Sequence, residues 1–202
     1  MNNEDYEIAR ENKLCLGDVY KINGMGVKFP EVKPPKCSNE TLNLTFVGEL
    51  SDRKNQSFLI KAISKLPNMT LTLVGDGDKR ESLESLAKKL GVENRVIFAG
   101  KQNDVYSYLA KTDIYVSASK IEGLPFNILE AMYMNLPILA SDIKGHRDLL
   151  DDSSLFELEN EKEFISKIQA LSIDKREYET EKYSFDAVFP KNMEVYFNFF
   201  EK

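Results

Sequence analysis

The 202-residue chain is 42% hydrophobic and carries a formal net charge of −6, enough apolar material for one sizeable core. Its basic pairs, Arg53-Lys54, Lys79-Arg80 and Lys88-Lys89, are separated by acids and apolar residues, which argues against nucleic acid as a partner because that affinity rests on clustered cations. No run approaches the roughly 20 apolar residues that span a bilayer, no charged-then-apolar signal pattern opens the chain, and Cys15 and Cys37 have neither metal nor redox spacing, so a soluble cytoplasmic protein is expected.

In chain order, Met1–Leu14 reads as a polar helix, Val19–Ile22 as a short strand, Asn23-Gly24-Met25-Gly26 as a turn, and Pro30–Glu40 as a proline-containing polar connector. Residues 1–40 therefore resemble a linker, and 41–202 a domain. From there the rhythm is regular. Strand patterns at Leu42–Val47, Met69–Val74, Val96–Phe98, Ile114–Ser117, Pro137–Ala140 and Leu155–Phe156 alternate with helical spacing at Gln56–Leu66, Glu81–Leu90, Val105–Ala110, from Pro125, and at Glu161–Leu171. This alternation predicts a Rossmann-like three-layer α/β/α domain with a parallel sheet of about six strands and ligands at the strands' carboxyl ends. Tyr183–Lys202 is so rich in aromatic residues, among them Phe185, Phe189, Tyr196, Phe197, Phe199 and Phe200, that a cover for those rings is expected.

The candidate motifs each follow a strand. Glu122 and Glu130 bracket Glu-Gly-Leu-Pro-Phe-Asn-Ile-Leu-Glu; Gly123 permits a tight loop, and Pro125 suits the first helical position. One carboxylate thus sits in a loop and the other on a helix. A helix N-terminus suits phosphate, and carboxylates grip vicinal hydroxyls. After the first strand, Gly48-Glu49-Leu50 runs into Arg53-Lys54, cations placed against a helix dipole unless an anion lies nearby; an exposed charge pair in a turn is the plainer reading. Gly75-Asp76-Gly77 lets backbone approach a ligand or simply makes a tight turn, and it lacks the third glycine of a dinucleotide loop, which argues against a nicotinamide enzyme. Gly100-Lys101-Gln102 could face a nucleobase, while Asn103 and Asp104 fit helix capping equally well. His146, the sole histidine, reads as a capping or surface residue and is given no catalytic role. Metal-ligand spacing is absent.

Phe46-Val47-Gly48 with Lys54, Leu73-Val74-Gly75-Asp76-Gly77, Val96–Gly100, Ser119 with Glu122-Gly123, and Glu130-Ala131-Met132 together resemble the donor-binding half of retaining GT-B glycosyltransferases, family 4. Ser141–Leu149 and Asn23–Val27 look most like bacterial capsule and exopolysaccharide enzymes. The resemblance implies a hexosyltransferase-type enzyme in which Lys54 contacts the donor diphosphate and stabilises the departing nucleotide. Glu122 lies near the transferred sugar, Glu130 binds the ribose, and Gly48, Arg53, Gly75, Gly77, Lys101, Gly123 and Leu124 complete the donor site. Glu49 departs from the pattern, since many relatives carry arginine there.

The donor implied is a nucleotide sugar, UDP first, with GDP and ADP using the same frame, and no cofactor or metal. An N-terminal acceptor-binding domain is missing from 202 residues, so the fragment is expected to bind nucleotide and transfer little alone, and the full-length enzyme could associate peripherally with the inner membrane face. A GT-B epimerase and a binding or regulatory module share the frame and remain as alternatives. A two-carboxylate hydrolase fits less well, because a loop Glu122 and a ribose-gripping Glu130 need not face one bond.

Overall fold

A computed structural model describes residues 3–12, 21, 24–31, 33–35, 41–174 and 176–200. Cys15, Cys37, the Val19–Ile22 strand apart from Lys21, and the rings of Phe199 and Phe200 lie outside the described residues.

After a short helix α1 (Asn3–Glu11), strands and helices alternate: β1 (Leu42–Val47), α2 (Gln56–Ser64), β2 (Met69–Val74), α3 (Arg80–Lys89), β3 (Val96–Gly100), α4 (Tyr106–Leu109), β4 (Ile114–Ser117), α5 (Phe126–Tyr133), β5 (Ile138–Ser141), α6 (Lys144–Arg147), β6 (Leu155–Phe156), α7 (Glu161–Ala170) and α8 (Phe185–Phe200). The six strands form one sheet in the order β3-β2-β1-β4-β5-β6, every neighbouring pair parallel. The expected three-layer α/β architecture is therefore present. Element ends shift by one to three residues, and Pro125 occupies the extended position just before α5 (φ −78°, ψ 103°) instead of its first turn.

Alternation along the strands divides the core between the two faces of the sheet. Leu44, Phe46, Leu71, Leu73, Ile114 and Val116 pack with Phe58, Ile63 and Phe164. Val47, Val74, Tyr115, Ile138 and Ala140 pack with Ile128, Leu129 and Met132 of α5. Burial of each large aliphatic or aromatic side chain contributes about 1.5–3 kcal/mol. The polar strand residues are accommodated in pairs: Thr72 Oγ1 donates to Asn43 Oδ1 at 3.0 Å and Thr112 Oγ1 to Thr45 Oγ1 at 2.7 Å.

Two observations bear on the chain outside the sheet. Val27 is buried in the second core cluster and is clipped to the C-terminal segment, its N–H donating to Tyr183 O at 2.8 Å and its carbonyl accepting from Phe185 N at 2.9 Å. The expected cover over the α8 rings is not found among the described residues: Phe185, Phe189, Tyr196 and Phe197 are 43–56% exposed, and the first two stack on each other at 5.0 Å.

Candidate functional site

The sheet order reverses between β1 and β4. The chain leaves β1 towards β2 and β3, and leaves β4 towards β5 and β6, so the loops following β1 and β4 diverge and open a crevice at their carboxyl ends.

The loop after β1 is shaped by its neighbour after β2. Gly48 N donates to Val74 O at 2.9 Å and Leu50 N to Asp76 O at 3.1 Å. A Cβ on Gly75, whose φ is +137°, would lie 1.9 Å from Gly48 O, and one on Gly77 would lie 2.4 Å from Leu50 O. The Gly-x-Gly pair thus lets two loops touch, which is the tight-turn role weighed for it above. Gln56 Nε2 donates to Glu49 O at 2.6 Å, and the turn delivers Lys54 into the crevice.

The loop after β4 brings Glu122 to the same place. Lys54 Nζ contacts Glu122 Oε1 directly, and only 10% and 8% of these side chains are exposed. Arg53 Nη1 lies 3.3 Å from Glu122 Oε2 and donates to Ile121 O at 3.3 Å. The anion that the sequence requires beside these cations is therefore Glu122 itself. Arg53 also lies 3.8 Å from Glu49, whose side chain is 60% exposed, so Glu49 points outward. Gly145 backs the Glu122 loop: a Cβ there would meet Glu122 O at 2.6 Å and Gly123 O at 2.7 Å. Gly123 itself faces open space, Leu124 packs at the edge of the second core cluster, and Lys101 is exposed just past β3.

Glu130 lies on α5, largely buried, and burial lifts its carboxyl from 4.5 to about 7. Its charge helps push the Tyr106 and Tyr115 hydroxyls upward, although burial is the larger cause in both. The two glutamates thus differ in kind. Glu122 is neutralised by cations, whereas Glu130 meets no cation within ion-pair distance among the described residues and is poised to accept a hydrogen bond from a hydroxyl.

The combination of a reversal-point crevice, a loop lysine on Glu122 and a second glutamate on the next helix agrees with the family description "Glycosyl transferases group 1", which matches residues 30–184. The chain belongs to this family. It is 32% identical to EpsD of Bacillus subtilis over 168 residues, 75% of this chain and 44% of that one. It is 29% identical over 202 residues, 87% of this chain and 51% of the other, to the UDP-Gal:alpha-D-GlcNAc-diphosphoundecaprenol alpha-1,3-galactosyltransferase of Escherichia coli. A TarM variant from S. aureus, solved with fondaparinux, alpha-GlcNAc-glycerol and UDP, superposes with a TM-score of 0.82 over 96% of this chain and 42% of that one at 20% identity. The chain thus spans about half the length of the curated relatives it matches. No helix among its described residues is long and apolar enough to cross a membrane.

Three residues of this family domain acquire roles that sequence reasoning did not give them. Asn127 Nδ2 donates to Val47 O at 2.8 Å, tying the start of α5 to the end of β1. The Tyr115 hydroxyl sits against the same residue, 3.3 Å from Val47 N and 3.4 Å from Val47 O. His146 is not the surface or capping residue expected: it is fully buried, and its Nδ1 lies 2.7 Å from Ser141 O. A carbonyl only accepts, so the proton is on Nδ1 and Nε2 is the bare nitrogen, without a partner among the described residues. The sequence signal was its position four residues after Asp142, just past a strand end, which could not reveal depth.

Burial holds the His146 imidazole below its ordinary 6.5. A group depressed in this way supports folding above its unfolded value, and that support is lost as pH falls through 6.5, because only the unfolded chain then takes up the proton. In His146→Gln, which keeps a donor near Ser141 O, the melting temperature is expected to drop less between pH 7 and pH 5 than in the wild type. Parallel melting curves would overturn the assignment.

Proposed function

We propose that this chain is the donor-binding half of a retaining GT-B glycosyltransferase of family 4 that uses a UDP-sugar and acts in the synthesis of a polysaccharide or lipid-linked glycan. The observation that carries the reading is the contact of Lys54 with Glu122 across the β1–β4 reversal point. It places a cation suited to a diphosphate against a carboxylate suited to a sugar. The named activity of the E. coli relative and the UDP in the TarM structure support the donor class.

Each residue then has a task. The arriving diphosphate takes Lys54 and Arg53 from Glu122, its extra charge outcompeting one carboxylate. Glu122 is released towards the transferred sugar, and Glu130 accepts hydrogen bonds from the ribose hydroxyls. As the glycosidic bond to the diphosphate breaks, negative charge grows on the departing nucleotide, and Lys54, Arg53 and the first turn of α5 stabilise it by position and electrostatics. Gly48, Gly75 and Gly77 shape the phosphate loop, Lys101 stands at the base end, and Gly123 and Leu124 offer backbone to the phosphates. The segment before residue 41 leads to an acceptor-binding domain, without which transfer is slow, and the assembled enzyme works at the cytoplasmic membrane face.

Thermal denaturation with UDP, GDP, ADP and their sugars tests this directly. UDP at a hundredfold excess over its dissociation constant stabilises the native chain by about 2.7 kcal/mol, and Lys54→Ala should abolish most of the shift. An equal shift in that variant would remove Lys54 from the site. Rapid sugar transfer by the isolated chain would overturn the dependence on an acceptor domain.

A further inference from the structure

A cavity of about 440 Å3 opens beside Glu122, walled by the Lys120–Glu122 segment and by Ile143, Lys144 and Arg147, with Asp5 contributed by α1. Lys144 and Arg147 stand one turn apart on α6, and a single carboxylate bridges them: Glu4 Oε1 is 3.1 Å from Arg147 Nη1 and Glu4 Oε2 is 3.4 Å from Lys144 Nζ. Asp5 Oδ1 adds a second contact to Lys144 at 3.3 Å. Arg147 is oriented from behind by Asp142, which accepts from Nε at 2.5 Å. Two oxygens of one anionic group, each on a different cation, form the pattern by which a phosphate is gripped.

We propose that Lys144 and Arg147 form an anion subsite that receives a diphosphate carried by the acceptor, and that the Glu4 and Asp5 carboxylates of α1 occupy it in the ligand-free chain. The inference rests on the placement of Glu122 beside the transferred sugar, because a group bound in this cavity then adjoins the reacting centre. Withdrawal of α1 leaves Lys144 and Arg147 with Asp142 as their counter-charge; of the other charged lining residues, Lys120 lies 4.0 Å from Glu159 and Glu122 is already held by Lys54 and Arg53. All four partners are between 43 and 50% exposed, and exposed ion pairs are individually weak, so a ligand of higher charge displaces them readily. Asp148 does not compete for these cations, since it accepts from both the backbone and side-chain nitrogens of Asn3 at 2.7 Å and lies 4.0 Å from Lys21.

The test is calorimetric titration of the full chain with inorganic pyrophosphate and, in a second arm, with farnesyl diphosphate, both in the presence of saturating UDP so that the donor site is filled. Glu4→Gln with Asp5→Asn is expected to tighten pyrophosphate at least fivefold. Lys144→Ala with Arg147→Ala is expected to weaken it tenfold or more while leaving UDP affinity unchanged. Tighter binding of farnesyl diphosphate than of pyrophosphate assigns the subsite to a lipid-borne group, and equal binding assigns it to the diphosphate alone. Pyrophosphate affinity within twofold of wild type in the Lys144/Arg147 variant overturns the subsite, and Lys144→Gln alone repeats the measurement should the double variant lose its fold. Failure of UDP to bind at all would strike the donor reading instead, and the pyrophosphate comparison between variants would still be read.

Discussion

Replacing Glu122 by glutamine is expected to tighten UDP binding about tenfold while destabilising the ligand-free chain by about 3 kcal/mol. Both effects come from the same contact. In the empty site Glu122 is the counter-ion of Lys54, and neither side chain has more than a tenth of its surface in water. Glutamine keeps the shape but leaves a nearly buried ammonium without its charge partner, and breaking such a pair costs on the order of 3–5 kcal/mol; the lower end applies because the amide oxygen still accepts from Lys54. The diphosphate no longer has to displace a carboxylate, and a gain of about 1.4 kcal/mol corresponds to tenfold in affinity. Calorimetry with UDP and melting curves with and without it would show weaker binding and a smaller UDP-induced rise in melting temperature in the wrong case, and tighter binding with a larger rise from a lower starting temperature in the expected one. Weakened UDP affinity in Glu122→Gln would mean that Glu122 holds the nucleotide itself. In the assembled enzyme the same substitution should abolish most transfer, separating donor binding from sugar transfer.

Glu130→Gln is expected to act in the opposite direction on stability. Burial lifts the native carboxyl from 4.5 to about 7, so between these values the native chain holds a proton that the unfolded chain has released. Stability therefore falls as pH rises through that window, and the cost is complete above pH 7. At about 1.36 kcal/mol for each tenfold change, the charged carboxylate costs the native state up to about 3 kcal/mol, so the glutamine variant should melt higher at pH 8 and no differently near pH 4. Ribose hydroxyls donate to the ionised form, so wild-type UDP affinity should increase from pH 6 to pH 8. The variant should lose that dependence and bind about tenfold more weakly at pH 8, given about 1.5–3 kcal/mol for a hydrogen bond to a charged group. A wild-type affinity flat with pH would separate Glu130 from the nucleotide. Where Glu122→Gln sacrifices stability and gains nucleotide affinity, Glu130→Gln exchanges affinity for stability, a pattern expected where strain is kept for function.

The fold was legible because its signals are local. Runs such as Leu-Thr-Leu-Val in β2 and the spacing of Phe58, Leu59, Ala62 and Ile63 in α2 report burial on one face without knowledge of any distant partner. The Glu122 and Glu130 placements followed from the same logic, one in a loop and one on a helix. What the sequence could not supply were contacts between residues far apart in the chain. The pairing of Lys54 with Glu122 spans 68 positions, and only the tension of a cation at a helix start hinted that an anion must be near. Asn127 reaches 80 positions back to Val47, and His146 is buried by loops whose approach depends on Gly145. The aromatic density of α8 predicts a cover, but an amphipathic composition does not state what a helix packs against, and Phe185, Phe189, Tyr196 and Phe197 remain about half exposed.

The clip at Val27 has a mechanical consequence. The segment entering the sheet domain and the segment leaving it run side by side, joined by backbone hydrogen bonds on either side of Ser184 and locked by a glycine, Gly26, whose absent Cβ would lie 2.6 Å from Phe185 Cα. A pull transmitted along either segment is therefore borne by this seam in shear before it reaches β1 or α7. The crevice between Lys54 and Glu122 can then keep its geometry while the flanking segments swing, as the fixed jaw of a vice does while the other travels.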